Sequence, residues 1–385
     1  MNEISQRMQK VLQNVVDSKQ AAGVNFLILQ NGREIGYAQA GWRNVRKSIP
    51  FGRDTIARIY SMTKPVTSFA VMKLWEQGRI DFDKRVCEYL PTYDRPDKRE
   101  MRISHLYNMT SGLTYDGGTS PAGKAVTEVF NRVIANLDEA NPFTTQQVAA
   151  MFAECPLAFE PGTRWLYGVS ADVLAAIVEV VSGMTFREFL KKELFDPLQL
   201  NDTDFYVPEE KQDRLAEAYW TGPEGFKTYY GSHLGVPHYM WEDPAYYAGG
   251  AGLCSTVDDY ARFGQMLLAG GVCEDGRLLK EETIKELLTP HLTAELTQSF
   301  RSVYSNHPGF TYDHLIMVCT DPEDDHDEIL HKGEYGWNGW LGTTFRNDPE
   351  TGMTFVSMVQ RLGFPDSTQK IRADMKKIVW DRNEK

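Results

Sequence analysis

A serine and a lysine three residues apart, in Arg58-Ile59-Tyr60-Ser61-Met62-Thr63-Lys64-Pro65, are the pair in this chain best suited to covalent chemistry. The apolar pattern after them predicts a helix over 66–77 that begins near Ser61, since Pro65 is tolerated in a first turn whose N–H groups lack intrahelical partners. On such a helix the two side chains share a face. Ser61 at its N-terminus meets free N–H groups and the positive end of the dipole, which favour negative charge on an attacked carbonyl oxygen. A hydroxyl becomes nucleophilic only when something accepts its proton. A lysine amine does so when burial or neighbouring positive charge lowers its pKa from about 10.4. The same spacing also describes a serine helix cap beside a solvated lysine, so the pair alone is weak evidence.

Two further segments carry side chains that can join this pair. Phe159-Glu160-Pro161-Gly162-Thr163-Arg164-Trp165-Leu166-Tyr167-Gly168-Val169-Ser170 is a Pro-Gly turn leading to a helix near Ser170, with Tyr167 on the connecting loop. A phenol there can share a proton with Ser61 and Lys64, or else pack with its hydroxyl satisfied by backbone. Gly336-Trp337-Asn338-Gly339-Trp340-Leu341-Gly342 enters a β-rich segment in which glycines let a ligand approach the backbone.

The elements that must position these groups fall into two kinds. At the N-terminus an amphipathic helix leads into Val24–Gln30, and Asn31-Gly32 supplies the positive-φ pair of a hairpin returning over 34–40. Near the C-terminus a second hairpin turns at Glu350-Thr351-Gly352, and an amphipathic segment over 369–379 is suited to cover a sheet face. Both chain ends therefore build one antiparallel α+β domain, residues 1–85 and 245–385. The middle, 86–244, reads as mostly helical, with helices over 126–136, 145–154, 171–182 and 186–195, and a further helix over 256–269 falls in the sheet domain. Gly78, Gly183 and Gly270-Gly271 follow helices as left-handed stops. The irregular stretch 201–250 is rich in Gly, Pro, Tyr and Trp, as a pocket wall is, and Tyr219, Trp220, Tyr229, Tyr230, Tyr239, Trp241, Tyr246 and Tyr247 are candidates to line it.

Composition excludes several functions. Forty-one Lys and Arg against 53 Asp and Glu give a charge of 41 − 53 = −12, a poor basis for electrostatic nucleic-acid binding. No apolar run approaches the ~18 residues of a membrane span, and no secretory signal is visible. Five scattered cysteines with no Cys-x-x-Cys pair argue against a disulfide framework or a thiolate zinc site and point to a reducing cytoplasm. There is no phosphate-binding glycine loop, no metal-binding His pair and no Gly-x-Ser-x-Gly, and His233, His238, His307 and His331 lack a local Ser-His-Asp arrangement, so neither metal nor cofactor is expected. The acidic run Asp321–Glu328 reads as a solvated loop, since one His among flexible acids does not specify a metal.

With Ser61-Met62-Thr63-Lys64, Tyr167 after Phe159-Glu160-Pro161-Gly162, and Trp337-Asn338-Gly339 in this order, the chain resembles the serine β-lactamase and penicillin-binding-protein superfamily, closest to its class C-like branch. His105-Leu106-Tyr107-Asn108-Met109-Thr110-Ser111-Gly112-Leu113 and 249–263 support the match. The resemblance implies a helical domain beside a five-stranded antiparallel sheet with flanking helices, and a site between them. It also implies catalytic Ser61, Lys64 and Tyr167, and a substrate-binding strand of Trp337, Asn338, Gly339 and Trp340. An acyl-Ser61 intermediate follows, its oxyanion held by the N–H groups of Ser61 and Trp340.

Departures from the pattern narrow the substrate. Where β-lactamases carry Lys-Thr-Gly, this chain has Trp337-Asn338-Gly339, similar to the Trp-Gly-Gly of the superfamily's carboxylesterases, and the cation that faces a β-lactam carboxylate is missing from that position. After Tyr167 come Gly168 and Val169 where lactamases place a small residue and an Asn, and Tyr-Gly here is similar to fungal acyltransferases acting on polyketide alcohols. The expectation is a serine hydrolase that cleaves small or medium acyl esters. The rival readings are a β-lactamase or D-amino-acid peptidase, an acyltransferase to a small alcohol, and a non-catalytic binding or sensor homologue.

Overall fold

Asn31 and Gly32, with φ of 49° and 76°, close a hairpin between strands Gly23–Gln30 and Arg33–Asn44, as their residue types predict. The computed structural model describes residues 1–381 apart from Asp116, Asp138, Pro223, Glu224, His326, Asp327 and Phe364. The C-terminal hairpin, Thr344–Asp348 with Met353–Val359, lies beside the N-terminal one. Gly23–Gln30 pairs antiparallel with Met353–Val359, from Val24 opposite Val359 to Gln30 opposite Met353. Both chain ends thus share one sheet.

That sheet has eight strands, not five. In spatial order they are Phe310–Asp313, Ile316–Cys319, Tyr335–Asn338, Thr344–Asp348, Met353–Val359, Gly23–Gln30, Arg33–Asn44 and Ile49–Pro50. The additions lie at the edges. Ile49–Pro50 is two residues long, and the Phe310–Cys319 hairpin turns through His314 and Leu315 at φ 48° and 62°. Neither turn residue is the Gly or Asn that normally marks positive φ, so the sequence carries no turn signal there.

Helix Glu3–Asp17, capped by the Asn2 side chain on the Ser5 N–H, presents Ile4, Met8, Leu12 and Val15 to one sheet face. Helix Pro365–Trp380 adds Ile371, Met375 and Ile378 to the same core, closing over Val24, Phe26, Ile28 and Phe355. Helix Val257–Leu268 covers the other face, with Tyr260 edge-on to Phe345 at 5.3 Å.

The acidic run is exposed at Asp321, Glu323 and Asp324, as a solvated loop is, but departs from that expectation at Asp325 and Glu328. Glu328 is buried and receives both arms of Arg372 at 2.7 Å, with Lys376 at 3.0 Å. Together with buried Glu334, 2.7 Å from Lys376, it supplies the counter-charge that the C-terminal helix requires, because burying two cations unpaired is far more costly than burying them paired. His326 and Asp327 lie outside the described residues.

The helices of the middle segment follow the predicted pattern, with limits shifted by a few residues at Pro121–Ala135 and matched at Thr145–Glu154. The 186–195 segment splits into an α-helical Phe186–Leu190 and a π-helical Lys191–Phe195. Helix Ser170–Ser182 ends at Gly183, φ 75°, and is buried nearly all round against helix Thr63–Glu76. A single buried cluster runs from Leu27 and Phe345 of the sheet through Phe69 to Val173 and Leu174. The 201–250 stretch holds a short hairpin, Tyr219–Gly222 with Gly225–Thr228. No helix among the described residues is long and apolar enough to cross a membrane.

Candidate active site

Ser61 sits in a 3₁₀ turn, Tyr60–Met62, that runs directly into helix Thr63–Glu76, so Lys64 follows it by one turn as the sequence predicts. Tyr60, immediately before the serine, is held at φ 41°. For a bulky residue this conformation costs on the order of 1–2 kcal/mol and persists only where packing enforces it. The Tyr60 ring is buried and meets Trp340 edge-on at 5.0 Å. Segment Gly249–Leu253 fixes the first turns of the helix. Thr67 Oγ1 donates to Gly249 O at 2.6 Å, the Leu253 N–H donates to Thr63 Oγ1 at 3.1 Å, and Leu253 O accepts the Ile59 N–H at 3.0 Å.

Lys64 is fully buried, and its Nζ has three neighbours: Ser61 Oγ at 3.3 Å, Tyr115 Oη at 2.8 Å and Gly250 O at 2.8 Å. Burial brings its pKa down to about 7, against an opposing pull from the Asp172 carboxylate. A neutral amine can therefore donate to the Gly250 carbonyl and receive the Ser61 proton near neutral pH. Asp172 is buried as well, and its Oδ1 accepts Tyr246 Oη at 2.8 Å and the Gly250 N–H at 3.1 Å. Burial raises the pKa of this carboxyl. Gly250 joins the two groups. A Cβ there would stand 2.8 Å from Asp172 Oδ2, 2.8 Å from Tyr115 Oη and 3.3 Å from Lys64 Nζ.

Tyr167 lies over the same lysine, its ring centroid 4.6 Å from Nζ, with its hydroxyl receiving the Trp337 Nε1–H at 3.0 Å and the Ser61 hydroxyl near enough to pull its pKa down against burial. Burial holds the Tyr167 and Tyr115 phenols well above their usual range, so both are neutral near pH 7. Tyr115 and Asp172 are site residues that the sequence does not single out. The only sequence signal for Tyr115 is its place two residues after the Ser111-Gly112-Leu113 stretch. The two tyrosine loops are laced together, Leu166 N–H to Met109 O at 2.9 Å and Gly162 N–H to Thr110 O at 2.8 Å. Gly168 lets them close, because a Cβ there would fall 1.9 Å from Leu113 O. Val169 is wholly buried in the core.

The Trp337–Trp340 segment divides by residue. Trp337 is buried against Tyr167. Asn338 is paired across the sheet with Thr344, whose hydroxyl donates to its side-chain oxygen at 2.8 Å, so that oxygen is already engaged. Gly339 makes room for the chain's own backbone, since a Cβ would lie 2.4 Å from Ile59 O. Trp340 stacks on His233 at 4.0 Å. Among the described residues the N–H groups of Ser61 and Trp340 donate to no backbone carbonyl.

The aromatic stretch splits too. Tyr229 packs on Trp340 at 5.8 Å, and Tyr246 binds Asp172 through its hydroxyl. Tyr230, Tyr239 and Trp241 are half exposed around a cavity of about 580 Å³ that Val133, Ile134 and Phe143 also wall. Tyr219 is tied back to the Val45 N–H, and Tyr247 to Asp243.

Comparison with known proteins identifies the family. A family model described as Beta-lactamase matches residues 8–378. Esterase EstB of Burkholderia gladioli is 27% identical over 375 residues, 92% of this chain and 89% of EstB. Acyltransferase calJ of Penicillium decumbens is 28% identical over 384 residues, 91% of this chain and 86% of calJ. Among solved structures, EstCE1, described as a hydrolase with promiscuous acyltransferase activity, superposes with a TM-score of 0.82 at 23% identity, over 98% of both chains. A family model that spans nearly the whole chain and a shared architecture make this protein a member of the beta-lactamase family.

Proposed function

We propose that the protein is a metal-independent serine hydrolase that cleaves esters of small or medium acyl groups through an acyl-Ser61 intermediate. The observation that carries this reading is Ser61 Oγ at 3.3 Å from a lysine whose pKa burial lowers to about 7. Ser61 Oγ attacks the ester carbonyl carbon while its proton passes to Lys64 Nζ, and the N–H groups of Ser61 and Trp340 receive the oxyanion. Collapse breaks the bond to the alcohol oxygen, which takes a proton from the Tyr167 phenol, and Lys64 returns the proton to Tyr167. Water then attacks the acyl-enzyme by the same route in reverse order. Tyr115 holds the lysine amine in place. Residues 1–85 and 245–385 supply Ser61, Lys64, Trp337 and Trp340, and residues 86–244 supply Tyr115 and Tyr167.

Trp337 supports an ester over a β-lactam. The only polar atom of its indole is already given to Tyr167, so the position offers no cation to a substrate carboxylate. Expected turnover of p-nitrophenyl butyrate exceeds that of nitrocefin by at least about 100-fold, the equivalent of one lost charged hydrogen bond. Faster nitrocefin hydrolysis would reverse the substrate assignment. Similarity to calJ favours a second outcome for the same acyl-enzyme, transfer to a small alcohol. All five cysteines are unpaired, which supports a reducing, cytoplasmic setting.

The reaction should follow the titration of Lys64. Only the neutral amine accepts a proton, so kcat/KM rises with pH to a plateau, with its midpoint near 7. Asp172 opposes the lowering, so Asp172→Asn, which keeps the acceptor for Tyr246, is expected to move the midpoint to lower pH. A midpoint that stays put or rises would show that another group controls the limb.

A further inference from the structure

We propose that Glu286, His291 and His314 form a zinc-binding site separate from the ester-cleaving groups. One ligand atom from each lies within 4.8 Å of the others. Glu286 closes helix Glu281–Leu287, His291 is in the loop that follows, and His314 is in the positive-φ turn of the Phe310–Cys319 hairpin. Their separation along the chain, with no short metal-ligand spacing, hides the group from sequence inspection.

The buried histidine carries the argument. His314 is buried, and its Nδ1 makes no hydrogen bond among the described residues, since Asp313 Oδ1 stands 3.9 Å away, beyond hydrogen-bond reach. A polar nitrogen buried without a partner is uncommon enough to require an explanation, and an ion is one. The ring is also held in position. The His314 carbonyl accepts Ser68 Oγ at 2.6 Å, and the imidazole meets Tyr107 edge-on at 4.7 Å.

The second histidine is oriented as metal ligands are. His291 Nε2 faces Glu286 Oε1 at 3.3 Å, while its Nδ1 faces Asp313 Oδ2 at 3.4 Å. Asp313 also accepts the His291 backbone N–H at 2.6 Å and the His314 backbone N–H at 2.8 Å. A carboxylate on the far nitrogen fixes the tautomer that leaves Nε2 free to bind, the arrangement found behind zinc-bound histidines. An ion pair of His291 with its two carboxylates would account for His291 alone and would leave His314 Nδ1 unexplained.

Two imidazoles and one carboxylate suit Zn²⁺ better than the oxygen-seeking Ca²⁺ or Mg²⁺. Tetrahedral ligands at zinc distances stand about 3.4 Å apart. From separations within 4.8 Å the group must therefore contract by about 1.4 Å at most, through the exposed partners: the His291 side chain is 47% exposed and that of Glu286 33%. Solvent access on that side leaves the fourth position to water.

Metal-stripped protein titrated with Zn²⁺ by calorimetry should bind one equivalent in the micromolar range or tighter, and Co²⁺ should give the visible absorption of a tetrahedral site. His291→Ala removes an exposed ligand without opening the core, and its affinity should fall by at least about 100-fold. Asp313→Asn, which removes the orienting charge and one of the two oxygens that hold the His291 and His314 backbone N–H groups, should weaken binding about 10- to 100-fold. His314→Ala empties a buried position and is interpretable only if circular dichroism shows it folded, so the exposed variant decides. Absence of saturable Zn²⁺ binding, or unchanged affinity in His291→Ala, overturns the site. The readout is metal binding and does not draw on the ester-cleaving reading.

Discussion

Ser61→Ala is expected to leave a folded protein that neither turns over p-nitrophenyl butyrate nor takes up a fluorophosphonate label. The substitution removes one oxygen from a buried side chain whose only hydrogen bond among the described residues comes from Lys64. Stability should therefore change little, while kcat falls by about 10⁴-fold or more, as when the nucleophile of other serine hydrolases is removed. Mass spectrometry of the wild-type enzyme quenched during turnover should place the acyl group on the peptide containing Ser61. Undiminished hydrolysis by the alanine variant would remove the serine from the mechanism.

Lys64→Met is expected to cost about 10²- to 10⁴-fold in kcat/KM, the range that a positioned proton acceptor contributes. Methionine fills the same buried channel without an amine, so Ser61 stays in place but has no base. Tyr167 does not substitute for it: burial holds its phenol neutral, and a neutral phenol donates a proton far more readily than it accepts one. The pH dependence separates this role from a packing role. Wild type should show a limb with its midpoint near 7, and the residual activity of Lys64→Met should lose that limb. A variant with full activity, or with the limb intact, would place the base elsewhere.

Much of the site was legible in the sequence because its key pieces are local. Ser61 and Lys64 are one helical turn apart, and the helix that presents them is marked by Pro65 and by the apolar run behind it. Trp337 and Tyr167 were found by resemblance to spaced motifs, and the structure brings their side chains to 3.0 Å. Tyr115 was not found because no local pattern distinguishes it, since its significance is a contact with Lys64 across 51 residues. Asn338, grouped with its neighbours as substrate-binding, has its side-chain oxygen engaged by Thr344 across the sheet, a pairing that residue type alone does not reveal.

The sequence by itself determined the kind of chain this is: the hairpins at both ends, the helical middle, the serine–lysine turn and the tryptophan in place of a strand lysine. These follow from residue type and short-range spacing, which fix local conformation directly. Only the tertiary structure decided that the sheet extends to eight strands, that Glu328 is a buried counter-ion, and that Tyr115, Asp172 and Gly250 surround one amine. Edge strands without turn signals, ion pairs and desolvation all depend on groups remote in sequence. The lowered pKa of Lys64 comes from the loss of water around its charge, which is created by packing and is absent from any stretch of the chain alone.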